Sequence, residues 1–136
     1  MNIVIDSNKI IAALIKDNVS RQIIYNKKFT FIAPDYCKVE IEKYSQLIIQ
    51  KSGLSQNDLI LLLNLIFDYI EVYPEEEYMS WYQKAQKEIA DPKDISFVAL
   101  ALAKKVDGIW SDDKDFETVT SIKIFKTKDM LSNFNT

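Results

Sequence analysis

Short apolar runs alternate along the chain with longer segments in which apolar residues recur at helical spacing. The runs predict buried strands, and the periodic segments predict helices. The predicted strands span 3–5, 29–33, 70–73, 109–110 and 122–125. The predicted helices span 9–16, a short segment opened by Ser20, 35–51, 58–69, 75–89, 92–105 and 128–134. Because strands alternate with helices, we expect an α/β fold with a mostly parallel sheet covered on both faces.

The segment 90–116 organises the rest of the chain. Pro92 stands where a first helical residue tolerates the loss of its N–H. Residues 95–103 include a single polar side chain, Ser96, so this helix is expected to pack on both sides. Gly108 is expected to end it. The strand that follows carries acidic residues at its C-terminal end: Asp112, Asp113 and Asp115.

The helix predicted over 58–69 is apolar around nearly its whole circumference, and Ser55 is expected to cap it. A helix of this kind must be buried on more than one side. Two coverings remain open, namely the interior of the same domain and a second subunit or partner helix.

Composition limits the chemistry. The 136 residues are expected to form one domain, 1–136, and the net charge of −3 argues against general coating of nucleic acid. The chain has no histidine, one cysteine (Cys37) and two glycines. These counts exclude histidine-dependent nucleophiles, an internal disulfide, cysteine zinc sites and glycine-rich phosphate loops. An enzyme of this composition would have to use carboxylates and a cation that prefers oxygen ligands.

Nothing in the sequence suggests a membrane. The N-terminus leads directly into a predicted strand, without a basic segment followed by an apolar one. The longest apolar run, 59–67, is interrupted by Asn64 and is too short to span a bilayer. We therefore expect a cytoplasmic protein.

Four acidic residues are candidate ligands for a divalent cation. Asp6 follows the first strand, Asp113 follows the fourth, and Asp94 lies in the first turn of the central helix. Functional crevices of parallel sheets lie beyond the carboxyl ends of the strands, so strands one and four are expected to be neighbours. Glu40 lies roughly 70° from the apolar stripe of its predicted helix, whereas Glu42 lies about 130° away, toward solvent. Each aspartate could instead serve as a helix cap.

These motifs resemble those of the PIN-domain family, small metal-dependent nucleases that include the VapC-type toxins. The segment VIDSN at 4–8 is similar to the family's first motif, and Glu40 matches its glutamate. DPKDISFVALALA at 91–103 is similar to the third motif, and SDDKDF at 111–116 to the fourth. The resemblance extends over essentially the whole chain and implies a three-layer α/β/α sandwich with a central parallel sheet ordered 3-2-1-4-5.

The resemblance also implies a ribonuclease that hydrolyses RNA phosphodiester bonds with one or two Mg²⁺ or Mn²⁺ ions. Its metal ligands and catalytic residues are expected to be Asp6, Glu40, Asp94 and Asp113. The residues that orient those ligands are expected to be Asn8, Asp91, Ser111 and Asp115. The lysines close to these acids in sequence are candidates to guide phosphate: Lys9, Lys93 and Lys114. The additional Asp112 leaves open which aspartate of this segment faces the metal.

Partners and biological role remain open at this point. The substrate could be tRNA or rRNA, and the protein is either the toxin of a toxin–antitoxin pair, with an antitoxin as partner, or a housekeeping nuclease. A homodimer is expected from the family and from the apolar helix 58–69. The alternative function is a non-catalytic PIN-like or Mg²⁺-binding protein-interaction module.

Overall fold

A computed structural model describes residues 1–15 and 18–134, so residue 16, the predicted end of the first helix, lies outside the described residues. The strands are β1 (Asn2–Ile5), β2 (Thr30–Pro34), β3 (Ile70–Tyr73), β4 (Gly108–Trp110) and β5 (Ile124–Phe125). The helices are α1 (Ser7–Ile15), α2 (Asn18–Tyr25), α3 (Tyr36–Lys43), α4 (Ser45–Ser52), α5 (Gln56–Phe67), α6 (Tyr82–Gln86), α7 (Pro92–Lys104) and α8 (Thr127–Ser132).

The strands form one parallel sheet in the order β3-β2-β1-β4-β5, which confirms the predicted order. Ile5 of β1 lies opposite Trp110 of β4, and the amide of Asp6 donates to the Trp110 carbonyl at 3.1 Å. The residues that follow β1 and β4 therefore leave the sheet side by side. This is the point at which the strand order reverses, where parallel sheets place their ligand sites.

Burial on both faces explains the continuous apolar runs of the central strands. Ile3, Val4 and Ile5 are fully buried, as are Ile109 and Trp110. Helix α7 packs against β1, β2 and β4, whereas α1 packs against α2, α4 and α5. A sheet covered in this way favours strands without the alternation of polar and apolar residues.

The end of α7 differs from the expectation that Gly108 terminates it. Lys105 adopts the left-handed conformation (φ 50°), and its amide donates to the Ala101 carbonyl. Gly108 instead opens β4, where a Cβ atom would collide with the ring of Phe125 and lie 2.8 Å from the carbonyl oxygen of Lys123. Close strand packing, rather than helix termination, requires glycine here.

Two predicted helices are interrupted. The segment 35–51 bends at Tyr44, where φ is −98° and ψ is 10°, and this separates α3 from α4. No glycine or proline marks this bend in the sequence. The segment 75–89 contains two 3₁₀ turns, Glu75–Glu77 and Met79–Trp81, before the short α6. Tyr78 between them is buried, and its hydroxyl donates to Asp35. Its backbone lies outside the helical region (φ −136°).

Helix α5 is capped as predicted, because Ser55 Oγ accepts from the amide of Asp58 at 3.1 Å. The expectation of burial on more than one side is wrong for the single chain. Leu59 and Ile66 are buried, but a strip of apolar residues on the outer face is exposed. The strip consists of Ile60, Leu61, Leu65 and Tyr69.

The tight packing at Gly108 yields a prediction for stability. Because a methyl group there would meet Phe125 and the Lys123 carbonyl, Gly108→Ala should lower the free energy of unfolding by about 1–3 kcal/mol. Urea denaturation measures this loss. Gly53→Asn is the control, since at Gly53 (φ 74°) a Cβ atom would have no neighbour within 4 Å and asparagine tolerates left-handed backbone. Equal losses in the two variants would contradict the packing argument.

Candidate metal centre

Asp6 lies at the carboxyl end of β1 and is held there by hydrogen bonds. Its side chain is only 3% exposed. Ser111, which follows β4, donates through Oγ to Asp6 Oδ2 at 2.7 Å, and the amide of Asn8 approaches Oδ1 at 3.4 Å. Adjacency of β1 and β4 makes the first contact possible. The contacts of Ser111 and of the Asn8 amide agree with their predicted orienting roles, which stay predictions because no metal tests them.

Glu40 reaches the same region from α3. Ser7, the first residue of α1, donates through Oγ to Glu40 Oε1 at 2.9 Å. Ser7 is itself buried beside Asp6, so one short segment touches two of the predicted ligands. The sequence analysis missed Ser7 because a serine at the start of a helix is usually explained as a cap.

The first turn of α7 contributes Asp91 and Asp94. Asp91 caps the helix, accepting from the amide of Lys93 at 3.0 Å. Asp94 is 8% exposed, and its Oδ2 is buried without a hydrogen-bond partner among the described residues. A buried carboxylate oxygen that lacks a donor is energetically costly unless a cation or proton neutralises it.

The acidic residues that follow β4 fall into two groups with different contacts. Asp112 pairs with Lys9 and accepts from the amide of Thr127 at 2.9 Å, so it belongs to a contact between α1 and α8. Asp113 accepts from the amide of Asp115 at 2.9 Å and thereby caps a 3₁₀ turn. Of the acids in this segment, Asp113 and Asp115 are those whose negative charges contribute to the raised pKa of Asp94.

Asp91, Asp94 and Asp115 come closest to a shared ligand position. One oxygen from each lies within 4.8 Å of the other two, and among the described residues this is the one group of three or more possible ligands that meets this limit. Of the four predicted ligands, only Asp94 belongs to it. We use the name acidic cluster for this trio together with the predicted ligands: Asp6, Glu40, Asp91, Asp94, Asp113 and Asp115.

The negative charges of the acidic cluster raise the pKa values of its buried members. Burial raises the pKa of Asp94 to about 7, and the charges of Asp6, Asp91, Asp113 and Asp115 contribute to the same shift. Burial also raises the pKa of Asp6 to about 6, against the lowering effect of its bonds to Ser111 and Asn8.

The pKa of Glu40 is raised mainly by burial, while the Ser7 hydroxyl and the charge of Lys93 oppose the shift. Of the three lysines predicted to guide phosphate, Lys93 is therefore the one whose charge lowers the pKa of a residue in the acidic cluster. Lys9 is occupied by Asp112, and its ammonium lies 5.9 Å from the Trp110 ring centroid, so it has a structural role. Lys114 is exposed in the turn next to Asp115.

The donor set fits a hard divalent cation. Carboxylate oxygens are the ligands that Mg²⁺ and Mn²⁺ prefer, commonly together with several waters. The unpartnered Oδ2 of Asp94 and the mutual repulsion within the acidic cluster would both be relieved by a positive charge. Asp91, Asp94 and Asp115 would be the nearest ligands for such an ion.

Glu88 lies outside the acidic cluster but holds the loop next to it, and the sequence analysis did not predict this role. Its Oε1 accepts from the amides of Thr120 and Ser121 at 2.8 and 2.6 Å. Thr118 Oγ1 donates to the carbonyls of Glu88 and Asp115 at 2.6 and 3.1 Å. Glu88 thus fixes the loop that begins at Asp115. No local pattern indicates such a contact between residues thirty positions apart.

Comparison with known proteins identifies the family. Among models of protein families, the one described as PIN domain matches residues 4–134. The chain belongs to the PIN-domain family. PIN domains are generally nucleases that use divalent metals and act on nucleic acid. In this chain, Asp6 and Asp113 of the acidic cluster follow the neighbouring strands β1 and β4. The predicted family is confirmed. A comparison with curated proteins gave no match.

Among the described residues, no helix is both long enough and apolar enough to cross a bilayer.

Replacing Asp94 should stabilise the metal-free protein at alkaline pH. Its pKa rises from 3.8 in the unfolded chain to about 7 in the fold, so wild-type stability falls as the pH rises through this window and the loss is complete above it. Asparagine carries no charge and can donate to neighbouring carboxylates. Asp94→Asn should therefore gain roughly 1.4 kcal/mol or more in free energy of unfolding near pH 8, the equivalent of one pKa unit. Urea denaturation with EDTA at pH 5 and pH 8 measures this gain.

The matched control is Glu42→Gln, which removes one negative charge from an exposed position on α3. It should leave the difference in stability between pH 5 and pH 8 unchanged. Mn²⁺ should reverse the effect of Asp94→Asn by stabilising the wild type more than the variant. A wild type that is equally stable at both pH values would contradict the assignment.

Proposed function

We propose that this protein is a Mg²⁺- or Mn²⁺-dependent endoribonuclease that hydrolyses RNA phosphodiester bonds at the acidic cluster. The observation that carries the proposal is the buried, unpartnered Oδ2 of Asp94 among the four carboxylates of Asp6, Asp91, Asp113 and Asp115. Membership of the PIN-domain family supports the nuclease activity. RNA as substrate, and the products with 5′-phosphate and 3′-hydroxyl ends, are part of the proposal.

The protein's own residues would prepare the site before substrate arrives. Ser111 and the Asn8 amide fix both oxygens of Asp6, and Ser7 fixes one oxygen of Glu40. Asp91 would keep its capping bond through one oxygen and direct the other toward the cation. When bound, the metal would lower the pKa of a water molecule and stabilise negative charge on the phosphate.

Ligand assignment within the acidic cluster is a proposal in two parts. Asp6, Glu40, Asp94 and Asp113 are the proposed catalytic residues, as the family motifs suggest. Asp91 and Asp115 are proposed to contact the same ion or a second one, because one oxygen of each lies within 4.8 Å of an oxygen of Asp94.

Removal of charge from the acidic cluster should abolish RNA cleavage. Asp6→Asn, Asp94→Asn and Asp113→Asn should each reduce the Mn²⁺-dependent cleavage rate at least about 100-fold, because loss of a direct ligand should exceed the 10–100-fold effect of losing a supporting residue. Cleavage of a panel that includes tRNA and rRNA fragments, followed by end analysis, measures the rate and the products. Glu40→Gln and Glu42→Gln form a matched pair on α3, of which only the first should lose activity.

Mn²⁺ calorimetry separates capping from ligation in the same set. Asp91→Asn keeps a side-chain oxygen for the helix cap but removes a charge, so weaker Mn²⁺ binding without loss of stability would indicate a ligand. Full activity in all three aspartate variants would overturn the proposal. Wild-type protein that neither binds Mn²⁺ nor cleaves RNA would support the alternative, a non-catalytic interaction module.

The exposed strip on α5 supports a homodimer as the proposed assembly. Ile60, Leu61, Leu65 and Tyr69 are between 49% and 62% exposed and lie on or directly after one helix. Contiguous apolar surface of this kind commonly marks a protein interface.

The proposed dimer predicts the effect of a charge in the strip. Leu61→Glu and Leu65→Glu should each weaken dimerisation roughly 30-fold, because truncating a central interface residue typically costs about 2 kcal/mol. Sedimentation velocity measures the dissociation constant. Met79→Glu is the control, because Met79 is similarly exposed but lies in a 3₁₀ turn away from α5. A wild-type protein that sediments as a monomer would reject the dimer.

The toxin role is a proposal about context. A toxin would be encoded beside a small antitoxin, a segment of which would cover the acidic cluster, whereas a housekeeping nuclease would lack this neighbour. Inspection of the adjacent reading frame distinguishes these roles. A cytoplasmic location is proposed with either role.

A further inference from the structure

A cleft of about 460 Å³ lies beside the acidic cluster, between α3, α6 and the start of α7. We name it the tyrosine cleft, and the residues that define it are Asp35, Tyr36, Tyr78, Tyr82, Gln86 and Pro92. Its volume is within the range of cavities that hold small organic ligands.

The tyrosine cleft and the acidic cluster share two helices. Tyr36 and Glu40 are four residues apart on α3, a spacing that places two Cβ atoms on one face of a helix, about 5–6 Å apart. On α7, Pro92 lies between Asp91 and Asp94 in sequence, and it lines the cleft while they belong to the cluster. The cleft and the acidic cluster therefore occupy neighbouring parts of α3 and α7.

The walls of the cleft are aromatic and partly fixed in place. Tyr78 is 1% exposed, and its hydroxyl donates to Asp35 Oδ1 at 2.5 Å. Its ring meets that of Tyr82 edge-on, with centroids 5.8 Å apart. Tyr36 and Tyr82 are half-buried, so each leaves part of its ring accessible. Ring faces of this kind stack on nucleobases of any sequence.

The charged side chains that line the cleft are both acidic. Asp35 Oδ2 accepts no hydrogen bond from the described residues, and Glu75 adds a second carboxylate at the rim. None of the described residues that line the cleft is basic. A phosphate would be repelled here, whereas a planar group that presents N–H donors would be accepted.

We propose that the tyrosine cleft is a base-binding subsite with a preference for guanine, which seats the base of a nucleotide whose phosphate reaches the acidic cluster. The inference rests on the ribonuclease proposed above. It specifies which base lies next to the cleaved bond.

Guanine is the base whose edge matches a carboxylate. Its N1–H and N2–H₂ groups are neighbouring donors that a carboxylate such as Asp35 can accept together. Adenine and cytosine each place a ring acceptor beside their single amino group, and uracil places carbonyl oxygens on both sides of its N–H. A guanidinium group also offers paired donors, so an arginine from a protein partner is the competing occupant. The base is favoured because the residues proposed to act on its phosphate lie one helical turn away.

Nucleoside binding tests the subsite without metal or cleavage. Guanosine, inosine, adenosine and L-argininamide are titrated into the full chain in EDTA, and tyrosine ring signals are followed by NMR. Inosine differs from guanosine only in lacking the N2 amino group. We expect guanosine to bind about tenfold more tightly than inosine, since a bidentate pair discriminates by roughly that factor.

Two variants locate the effect. Asp35→Asn keeps an acceptor for Tyr78 but offers a donor in place of the second carboxylate oxygen, so it should remove the preference for guanosine over inosine. Tyr36→Leu should weaken all nucleosides alike, because it removes a stacking surface. Glu42→Gln, on the same helix but exposed, should change neither. Both cleft variants should retain wild-type Mn²⁺ affinity and a normal circular dichroism spectrum.

The outcomes are distinct. A guanosine preference that is lost in Asp35→Asn supports the subsite. Equal binding of guanosine and inosine, absence of nucleoside binding, or binding of L-argininamide alone overturns it. If guanosine binds as expected but RNA is not cleaved and Mn²⁺ does not bind, the subsite is supported and the ribonuclease proposal fails.

Discussion

The burial of carboxylates close to other negative charges is the constraint on which this structure depends. Asp94 is 8% exposed, has an oxygen without a donor among the described residues, and lies among the charges of Asp6, Asp91, Asp113 and Asp115. Without a counter-ion, this arrangement opposes folding above the raised pKa values. The surrounding hydrogen bonds from Ser7 and Ser111 reduce the cost but do not remove it. A site that retains such repulsion is suited to bind a cation strongly, because binding removes it.

The parallel sheet determines where this repulsion occurs. Adjacency of β1 and β4 places Asp6 and Ser111 side by side. Helix α7 packs against both strands, and the charge of Asp6 contributes to the raised pKa of Asp94 in its first turn. Carboxylates at the start of α7 also gain from the positive end of the helix dipole. The fold therefore brings acidic side chains together where backbone groups partly offset their negative charge. This lowers the energetic cost of the acidic cluster in the absence of metal.

Most of the fold could be predicted from periodicity, whereas the different contacts made by neighbouring acidic residues could not. Strand-length apolar runs predicted the parallel sheet, and the order of strands came from the family resemblance. Asp112 and Asp113 are neighbours in sequence, yet the first pairs with Lys9 and Thr127 while the second caps a turn. That choice depends on contacts with α1 and α8, which no local pattern encodes. The loop held by Glu88 depends on tertiary contacts in the same way.

The two roles of Asp91, as helix cap and as proposed metal ligand, are compatible because a carboxylate has two oxygens. Oδ1 accepts from the amide of Lys93, and an oxygen of the same residue lies within ligand-sharing distance of Asp94 and Asp115. Capping fixes the orientation of the carboxylate, and a fixed ligand loses less conformational entropy when a cation binds. The same first turn carries Pro92 into the tyrosine cleft. The first turn of α7 would then position both the base and its phosphate. The geometry of α7 should therefore govern the preference for a base as well as metal binding.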